Sequence, residues 1–177
     1  TLKIAETKGT RLIDLNILGT HKNEDSSRLS LVIPLHTAIL DMVVKHTPSP
    51  IESQKYRVQT IWRGKIDSEI GQAMTKCEEN GPTVMCITAV QMVTKEGFVA
   101  TGRIFSGSLK SGDRIYLVNE GEDRRIEKVS VYMSAFRETV DRVSAGNIAA
   151  FTGLETARPG ETVVDSRCSR LVTPFEK

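Results

Sequence analysis

The chain has 177 residues, of which 39% are hydrophobic and 26% charged, and its formal net charge at pH 7 is +2. This composition supports a folded domain with an apolar core. It excludes the large cationic surface of proteins whose main function is to bind nucleic acid. No run of about 18 apolar residues occurs, so the sequence predicts no membrane span. A small basic patch is still compatible with the net charge.

Three cysteines are present, and none of them belongs to a CxxC pair. An odd number without that spacing argues against a disulfide framework and favours a reducing, cytoplasmic compartment. The chain starts at Thr1 rather than at a methionine, which favours a piece of a longer protein.

The first fifty residues are mainly helical in character, and the clearest predicted helix spans Pro34–His46. Proline suits the first helical turn, and Lys45 with His46 suit the negative end of the helix dipole. The segment Thr47–Pro50 ends the helix. Its apolar stripe needs a partner, either the β-rich region or a neighbouring domain. The stripe consists of Leu35, Ala38, Ile39, Met42 and Val43.

Residues 51–81 are predicted to be a connector. Within it, Tyr56–Trp62 is predicted to be extended. Asp67 is expected to cap a short helix that buries Ile70, Ala73, Met74 and Cys77. Gly81 and Pro82 follow this helix and end it.

From Pro82 to Asp165 the pattern changes to short strands separated by turn residues. Six such strands without a long intervening helix predict a closed antiparallel β-barrel, because closure removes exposed strand edges. The predicted strands are Thr83–Val93, Phe98–Ser106, Arg114–Val118, Arg125–Met133, Ile148–Thr152 and Thr162–Val164.

Catalytic and metal-binding motifs are absent from the sequence. A phosphate-binding P-loop needs GxxxxGK[ST], and the single Gly-Lys pair, Gly64-Lys65, is followed by Ile66. The histidines His21, His36 and His46 share no metal-ligand spacing. Cys77 and Cys86 are expected to be packed and Cys168 to lie in a tail, so none is predicted to be a nucleophile. We therefore expect no enzymatic activity, cofactor or metal in this chain.

Two groups of motifs resemble a known family. Val99–Gly107, Leu109 and Gly112–Tyr116 are similar to the second-domain barrel of translational GTPases, as are Val143–Ala150 and Gly160–Thr162. Within that family, flanking segments resemble the elongation factor 2 branch, in its archaeal form. These segments are Ile33–His36, Leu40–Val44, His46–Pro50, Gln54–Arg57, Ile61–Gly64, Asp67–Gly71, Cys77, Gly81-Pro82 and Tyr132-Met133.

The resemblance implies that residues 1–50 end a G domain, 51–81 connect, 82–170 form the second-domain barrel and 171–177 are a tail. It implies a parent GTPase that uses GTP and Mg and drives movement of tRNA and mRNA on the ribosome. The barrel would contact small-subunit ribosomal RNA and the parent's own G domain, with no DNA or membrane partner. RNA contacts are predicted for Lys110, Arg124, Arg125, Lys128 and Arg137, and interdomain coupling for Leu35, Ile39, Met42, Val43, Tyr56 and Arg57.

Three other interpretations remain open at this point. A related GTPase of splicing or ribosome maturation has a similar barrel. The second interpretation is a stand-alone protein-interaction barrel, and the third is an enzyme of unrecognised type. Scattered basic residues ordinarily indicate a solvent-exposed surface. The more specific interpretation is a surface that contacts phosphate groups.

Overall fold

The computed structural model describes residues 35–134, 136–168 and 172–175. The chain divides into two units, residues 1–47 and 48–177. In the first unit the described residues form helix α1 (Leu35–His46), which confirms the predicted helix over those residues, while Pro34 lies outside the described residues. None of the twelve residues of α1 is buried; Leu35, for example, is 71% exposed.

The second unit begins with helix α2 (Pro50–Ile61). The Ser49 hydroxyl accepts the Glu52 N–H at 3.3 Å, and the Glu52 carboxylate accepts the Ser49 N–H at 3.1 Å. This capping box, with Pro50 in the first turn, is a strong helix start. The prediction that Tyr56–Trp62 is extended was therefore wrong. Pro50, which was predicted only to end the first helix, is also the first residue of α2.

Helix α3 (Glu69–Lys76) follows, and its apolar face is buried as predicted. Its N-cap is Ser68, whose hydroxyl accepts the Gly71 N–H at 3.1 Å; the prediction of Asp67 as the cap was wrong by one residue. Cys77 ends the helix with a left-handed φ of 55° and is buried.

The described strands are all antiparallel to their neighbours and form one large sheet and one small one. The order in the large sheet is β5-β4-β10-β1-β2-β9-β6-β7, and β3 pairs with β8. The fold is mainly β, as expected. The strands are β1 (Val84–Val93), β2 (Gly97–Ser106), β3 (Ser108–Lys110), β4 (Arg114–Leu117), β5 (Glu122–Arg125), β6 (Val129–Met133), β7 (Phe136–Thr139), β8 (Arg142–Ser144), β9 (Ile148–Thr152) and β10 (Thr162–Asp165), followed by a 3₁₀ turn (Ser166–Cys168).

The predicted strand Arg125–Met133 is divided in the structure, because its middle residues bond to other segments. The Ile126 N–H donates to the Asp113 carbonyl at 3.0 Å, and the Glu127 N–H donates to the Thr152 carbonyl at 3.0 Å. β3, β7 and β8 were not predicted, and each has only three or four residues.

Two apolar clusters hold this unit together. The first contains the inward side chains of the strands, with Phe151, Ile104 and Leu117 at 0% exposure. The second joins α2 and α3 to the sheet through Val58, Met74 and other apolar residues. Cys86 is only partly buried and packs against this second cluster, so its predicted core position holds only in part. The remaining members of the second cluster are Trp62, Ile70, Val84, Phe105, Val164, Val172 and Phe175.

A buried amide links three elements of the second cluster. Gln54 on α2 is fully buried, and its Nε2 donates to the Met74 carbonyl at the end of α3 and to the Phe105 carbonyl on β2 at 2.8 Å. Bonds of this kind satisfy carbonyls that burial would otherwise leave unpaired. Gln54 therefore orients both helices on β2.

Gly102 and Gly97, both on β2, allow a matched test of how closely β1 and β2 approach. A Cβ at Gly102 would lie 2.2 Å from the Cys86 carbonyl oxygen, whereas a Cβ at Gly97, where φ is +75°, meets no atom within 4 Å. We expect Gly102→Ala to destabilise the fold by about 3 kcal/mol through overpacking. Gly97→Ala should cost only about 1 kcal/mol for its left-handed backbone. Urea unfolding of both variants checks this, and equal losses would contradict it.

Candidate nucleic-acid interface

The structure distributes the five residues predicted to contact RNA over several elements. Lys110 ends β3, Arg124 and Arg125 lie on β5, Lys128 lies between β5 and β6, and Arg137 lies on β7. β5 and β7 are at opposite ends of the sheet order. The five residues therefore do not form one contiguous strand face.

Two of these residues are paired with carboxylates. Arg124 forms an ion pair with Glu122. Arg137 forms an ion pair with Glu96 at 2.8 Å, and its side chain is only 16% exposed. Such pairing reduces the charge that each arginine offers to a phosphate.

The turn at Lys110–Asp113 is held firmly by hydrogen bonds. The Asp113 carboxylate accepts the Lys110 N–H at 2.8 Å, and the Gly112 N–H donates to the Ile126 carbonyl at 2.8 Å. Arg125 Nε donates to the Gly112 carbonyl at 3.2 Å. Gly112 has φ +88°, a conformation that favours glycine. The turn thus fixes the positions of the basic residues on either side of it.

A groove of about 670 Å³ lies beside this turn. Its lining carries four basic residues, which come from β3, β4, β8 and the 3₁₀ turn. Only Lys110 was predicted as a contact residue. Arg114 directly follows the turn in sequence, and this position was the signal that could have identified it. Arg142 lies near Lys110 only because β8 pairs with β3. The four basic residues are Lys110, Arg114, Arg142 and Arg167.

Three acidic residues also line the groove, and two of them are engaged locally. Asp113 accepts the Lys110 N–H as described above, and Asp165 accepts two side-chain hydrogen bonds from Arg167, at 3.1 and 2.8 Å. Glu79 is the third. Hydrogen bonding to the Arg167 guanidinium lowers the pKa of Asp165, against the opposing effect of partial burial. Asp165 therefore stays ionised and holds Arg167 at neutral pH.

The cysteines are not activated for nucleophilic chemistry. Burial raises the pKa of Cys77, Cys86 and Cys168; the Glu161 carboxylate adds to the rise at Cys86 and the Asp165 carboxylate adds to it at Cys168. A raised pKa keeps the thiol protonated and lowers its reactivity. Within residues 35–134, 136–168 and 172–175, no group of three or more His, Cys, Asp or Glu side chains is arranged to hold a metal ion.

The residues predicted to couple domains are exposed. Leu35, Ile39, Met42 and Val43 lie on α1, where they are 43–71% exposed. On α2, Tyr56 is 54% exposed and Arg57 is also exposed. Among the described helices, none is long and apolar enough to span a membrane.

Comparison with known proteins gives consistent matches along the chain. Residues 97–164, from the start of β2 into β10, match the family model of elongation factor Tu domain 2. Elongation factor 2 of Staphylothermus marinus is 46% identical over all 177 residues, and that of Pyrococcus abyssi is 44% identical over 99% of the chain. That of Aeropyrum pernix is 48% identical over 86% of the chain.

The chain is a homologue of elongation factor 2. This confirms the resemblance to the archaeal form of that factor. The matched lengths correspond to 24%, 23% and 21% of these three relatives, so the chain spans about a quarter of the proteins it matches.

The Asp165–Arg167 pair predicts a pH-dependent contribution to stability. Because the pKa of Asp165 is lowered in the folded state, its contribution is present above the ordinary aspartate value of 3.8 and is lost as pH falls through the lowered value. Asp165→Asn should reduce the free energy of unfolding at pH 7, and this difference should shrink as the pH falls below 3.8 through the lowered pKa. The reduction should be small, because Arg167 is 88% exposed and solvent screens the pair.

Urea unfolding of the wild type and of Asp165→Asn at several pH values measures this difference. Arg167→Gln is the matched variant and should show the same convergence with the wild type at acid pH. A difference that does not change with pH would contradict the assignment.

Proposed function

We propose that this chain is the second domain, with the adjoining helical end of the G domain, of a ribosomal translocation GTPase. In this role it is a non-catalytic module that docks on small-subunit ribosomal RNA and couples the G domain to the rest of the factor. The observation that carries the proposal is the 46% identity to elongation factor 2 along the whole chain. A cytoplasmic location follows from that role.

The nucleotide chemistry of such a parent belongs outside this chain. GTP and Mg would supply the driving reaction when bound to the parent. The Gly64-Lys65 pair lacks the following Ser or Thr of a P-loop, and in the described part of the chain no acidic cluster suits a metal ion. No step of hydrolysis is therefore assigned to residues of this chain.

We further propose that the large sheet closes into a barrel. The segment 122–133 supports this because its two halves pair with different strands: β5 with β4, and β6 with β9. Between them, Ile126 bonds to Asp113 next to β4, and Glu127 bonds to Thr152 at the end of β9. One continuous segment thus connects both sides of the order β4-β10-β1-β2-β9. Closure leaves no open edge in that ring and makes it stiff.

Hydrogen exchange tests this closure. If 122–133 is the seam of a barrel, the amide protons of Ile126, Glu127 and Thr152 should exchange as slowly as those in the middle of β2. The amide of Thr139 on the outer strand β7 is a matched reference and should exchange much faster. Fast exchange at Ile126 and Glu127 would mean that the sheet opens there.

The exposed apolar residues are suited to domain coupling. On α1, Leu35, Ile39, Met42 and Val43 present apolar side chains to water, an unfavourable arrangement that contact with a neighbouring domain would remove. On α2, Tyr56 lies on the face opposite the buried Gln54, whereas Arg57 is exposed at the edge of the buried face. Gln54 ties α2 to β2 through its hydrogen bond to the Phe105 carbonyl, so the helix that carries Tyr56 is joined directly to the sheet.

Binding to small ribosomal subunits tests the docking role. The affinity of the wild-type chain should fall steeply with salt, because phosphate contacts release counterions. Neutralising all five predicted residues to glutamine should weaken binding by at least about tenfold at 0.1 M salt and flatten the salt dependence. Sedimentation or fluorescence anisotropy provides the measurement. The residues are Lys110, Arg124, Arg125, Lys128 and Arg137.

A control variant removes exposed lysines elsewhere in the same unit. Lys55→Gln, Lys65→Gln and Lys76→Gln together lower the net charge by three but change residues of the α2–α3 region only. This control should retain most of the affinity. Salt-independent binding by the wild type, or equal losses in the control, would favour a protein-interaction module instead.

A further inference from the structure

Two pairs of positively charged residues stand directly opposite each other on neighbouring strands. Lys110 is paired with Arg142 on the β3–β8 ladder, and Arg114 is paired with Arg125 on the β4–β5 ladder. All four residues are exposed. Side chains at directly opposed positions share one face of the sheet, and like charges there destabilise the pairing. Both pairs flank the Lys110–Asp113 turn.

Glu79 and Asp113 line the same groove and reduce its net positive charge, but among the described residues neither forms an ion pair with these cations. Arg125 donates to the Gly112 carbonyl, and Arg142 donates weakly to the Glu79 carbonyl at 3.4 Å; both acceptors are uncharged. Asp165 is occupied by Arg167. Within the residues that the structure describes, Lys110, Arg114 and Arg142 form no ion pair with a carboxylate, in contrast to Arg124 and Arg137.

Three of the four cations also face one groove. Lys110, Arg114 and Arg142 line the cavity of about 670 Å³ beside the turn, and the hydrogen bonds of Asp113 and Gly112 hold that turn in place. A rigid turn between two charged ladders keeps the cations close even without a ligand. An anion in the groove would relieve both repulsions at once.

We propose that Lys110, Arg114 and Arg142 bind phosphodiester groups of an RNA backbone in this groove, and that the unbound domain tolerates their mutual repulsion because the RNA removes it. This assignment rests on the proposed function and specifies the contact surface within it. Arg125 supports the site through its bond to Gly112. Arg124 and Arg137 contribute less, because carboxylates already pair with them.

A backbone phosphate fits this groove better than a base does. Phosphate contacts use cations from different elements and carry no sequence information, and they position a protein on its nucleic acid. Among the described residues that line the groove, none is an aromatic side chain on which a base could stack. An acidic protein surface is the competing partner, and binding to a protein-free RNA hairpin distinguishes the two.

The proposal predicts opposite effects on stability and on binding. Arg114→Gln and Lys110→Gln each remove one member of a repelling pair, so each should raise the Tm of the free chain by about 1–4 °C at low salt. Each should also weaken binding to small subunits and to a protein-free RNA hairpin by about five- to tenfold at 0.1 M salt. Lys95→Gln, on the exposed turn between β1 and β2, is the control and should change neither quantity.

A second arm uses inorganic phosphate as the probe. At equal ionic strength, phosphate should raise the Tm of the wild type more than chloride does, and this advantage should shrink in Arg114→Gln. The arm tests the groove even if the wild-type chain does not bind subunits, an outcome that would overturn the proposed function alone. A response to phosphate without binding to the RNA hairpin would indicate a site for free phosphate and overturn the RNA assignment.

Three results would overturn the groove proposal while leaving ribosome docking intact. The first is subunit binding by Arg114→Gln and Lys110→Gln with wild-type affinity. The second is a lowered Tm in both variants, which would show that the cations stabilise the free fold. The third is loss of binding to subunits but not to the RNA hairpin, which would identify an acidic protein as the occupant.

Discussion

The pairing of β2 with β1 on one side and β9 on the other is the constraint on which the second unit depends. β2 is the central strand of this group and also receives the two helices, since Gln54 bonds to its Phe105 carbonyl. Gly102 lets the backbone of β1 approach closely, which any larger residue would prevent. A buried strand with hydrogen bonds on both edges is among the last parts of a domain to open. Within this unit, α2, α3, the β3–β8 pair and the groove are positioned by their contacts around this strand.

The positions of the charged residues near the groove follow from strand pairing rather than from the composition of the chain. The net charge of +2 gives no reason to expect a cationic surface. Strand pairing nevertheless brings Lys110 opposite Arg142 and Arg114 opposite Arg125, so that four positive charges lie around one short turn. Binding sites commonly keep such unfavourable arrangements, at a loss of stability in the unbound protein. Arg124 and Arg137 on the same fold show the ordinary arrangement, in which each arginine is paired with a carboxylate.

Sequence patterns predicted β1, β2 and β9 and also the four-residue strands β4 and β10, but they did not predict β3, β7 or β8. β1, β2 and β9 have five or more residues, so apolar alternation and flanking glycines identify them. β3, β7 and β8 exist because their partners supply hydrogen bonds, and no local signal marks them. The error over Tyr56–Trp62 has a different cause. Two prolines at positions 48 and 50 were interpreted only as an end of structure, although Ser49 and Glu52 form the capping box that starts α2.

By itself the sequence determined the mainly β character of residues 82–165, the helix at 35–46 and the resemblance to elongation factor 2. These properties rest on local periodicity, turn residues and motifs that are readable in order along the chain. Only the tertiary structure decided which basic residues are neutralised and which face one groove. That outcome depends on strand register, and a shift of one residue would move Lys110 and Arg114 to the opposite face. The pairing of Lys110 with Arg142 joins segments far apart in sequence, so no local pattern could have revealed it, whereas the pairing of Arg114 with Arg125 belongs to a local hairpin whose register depends on its turn.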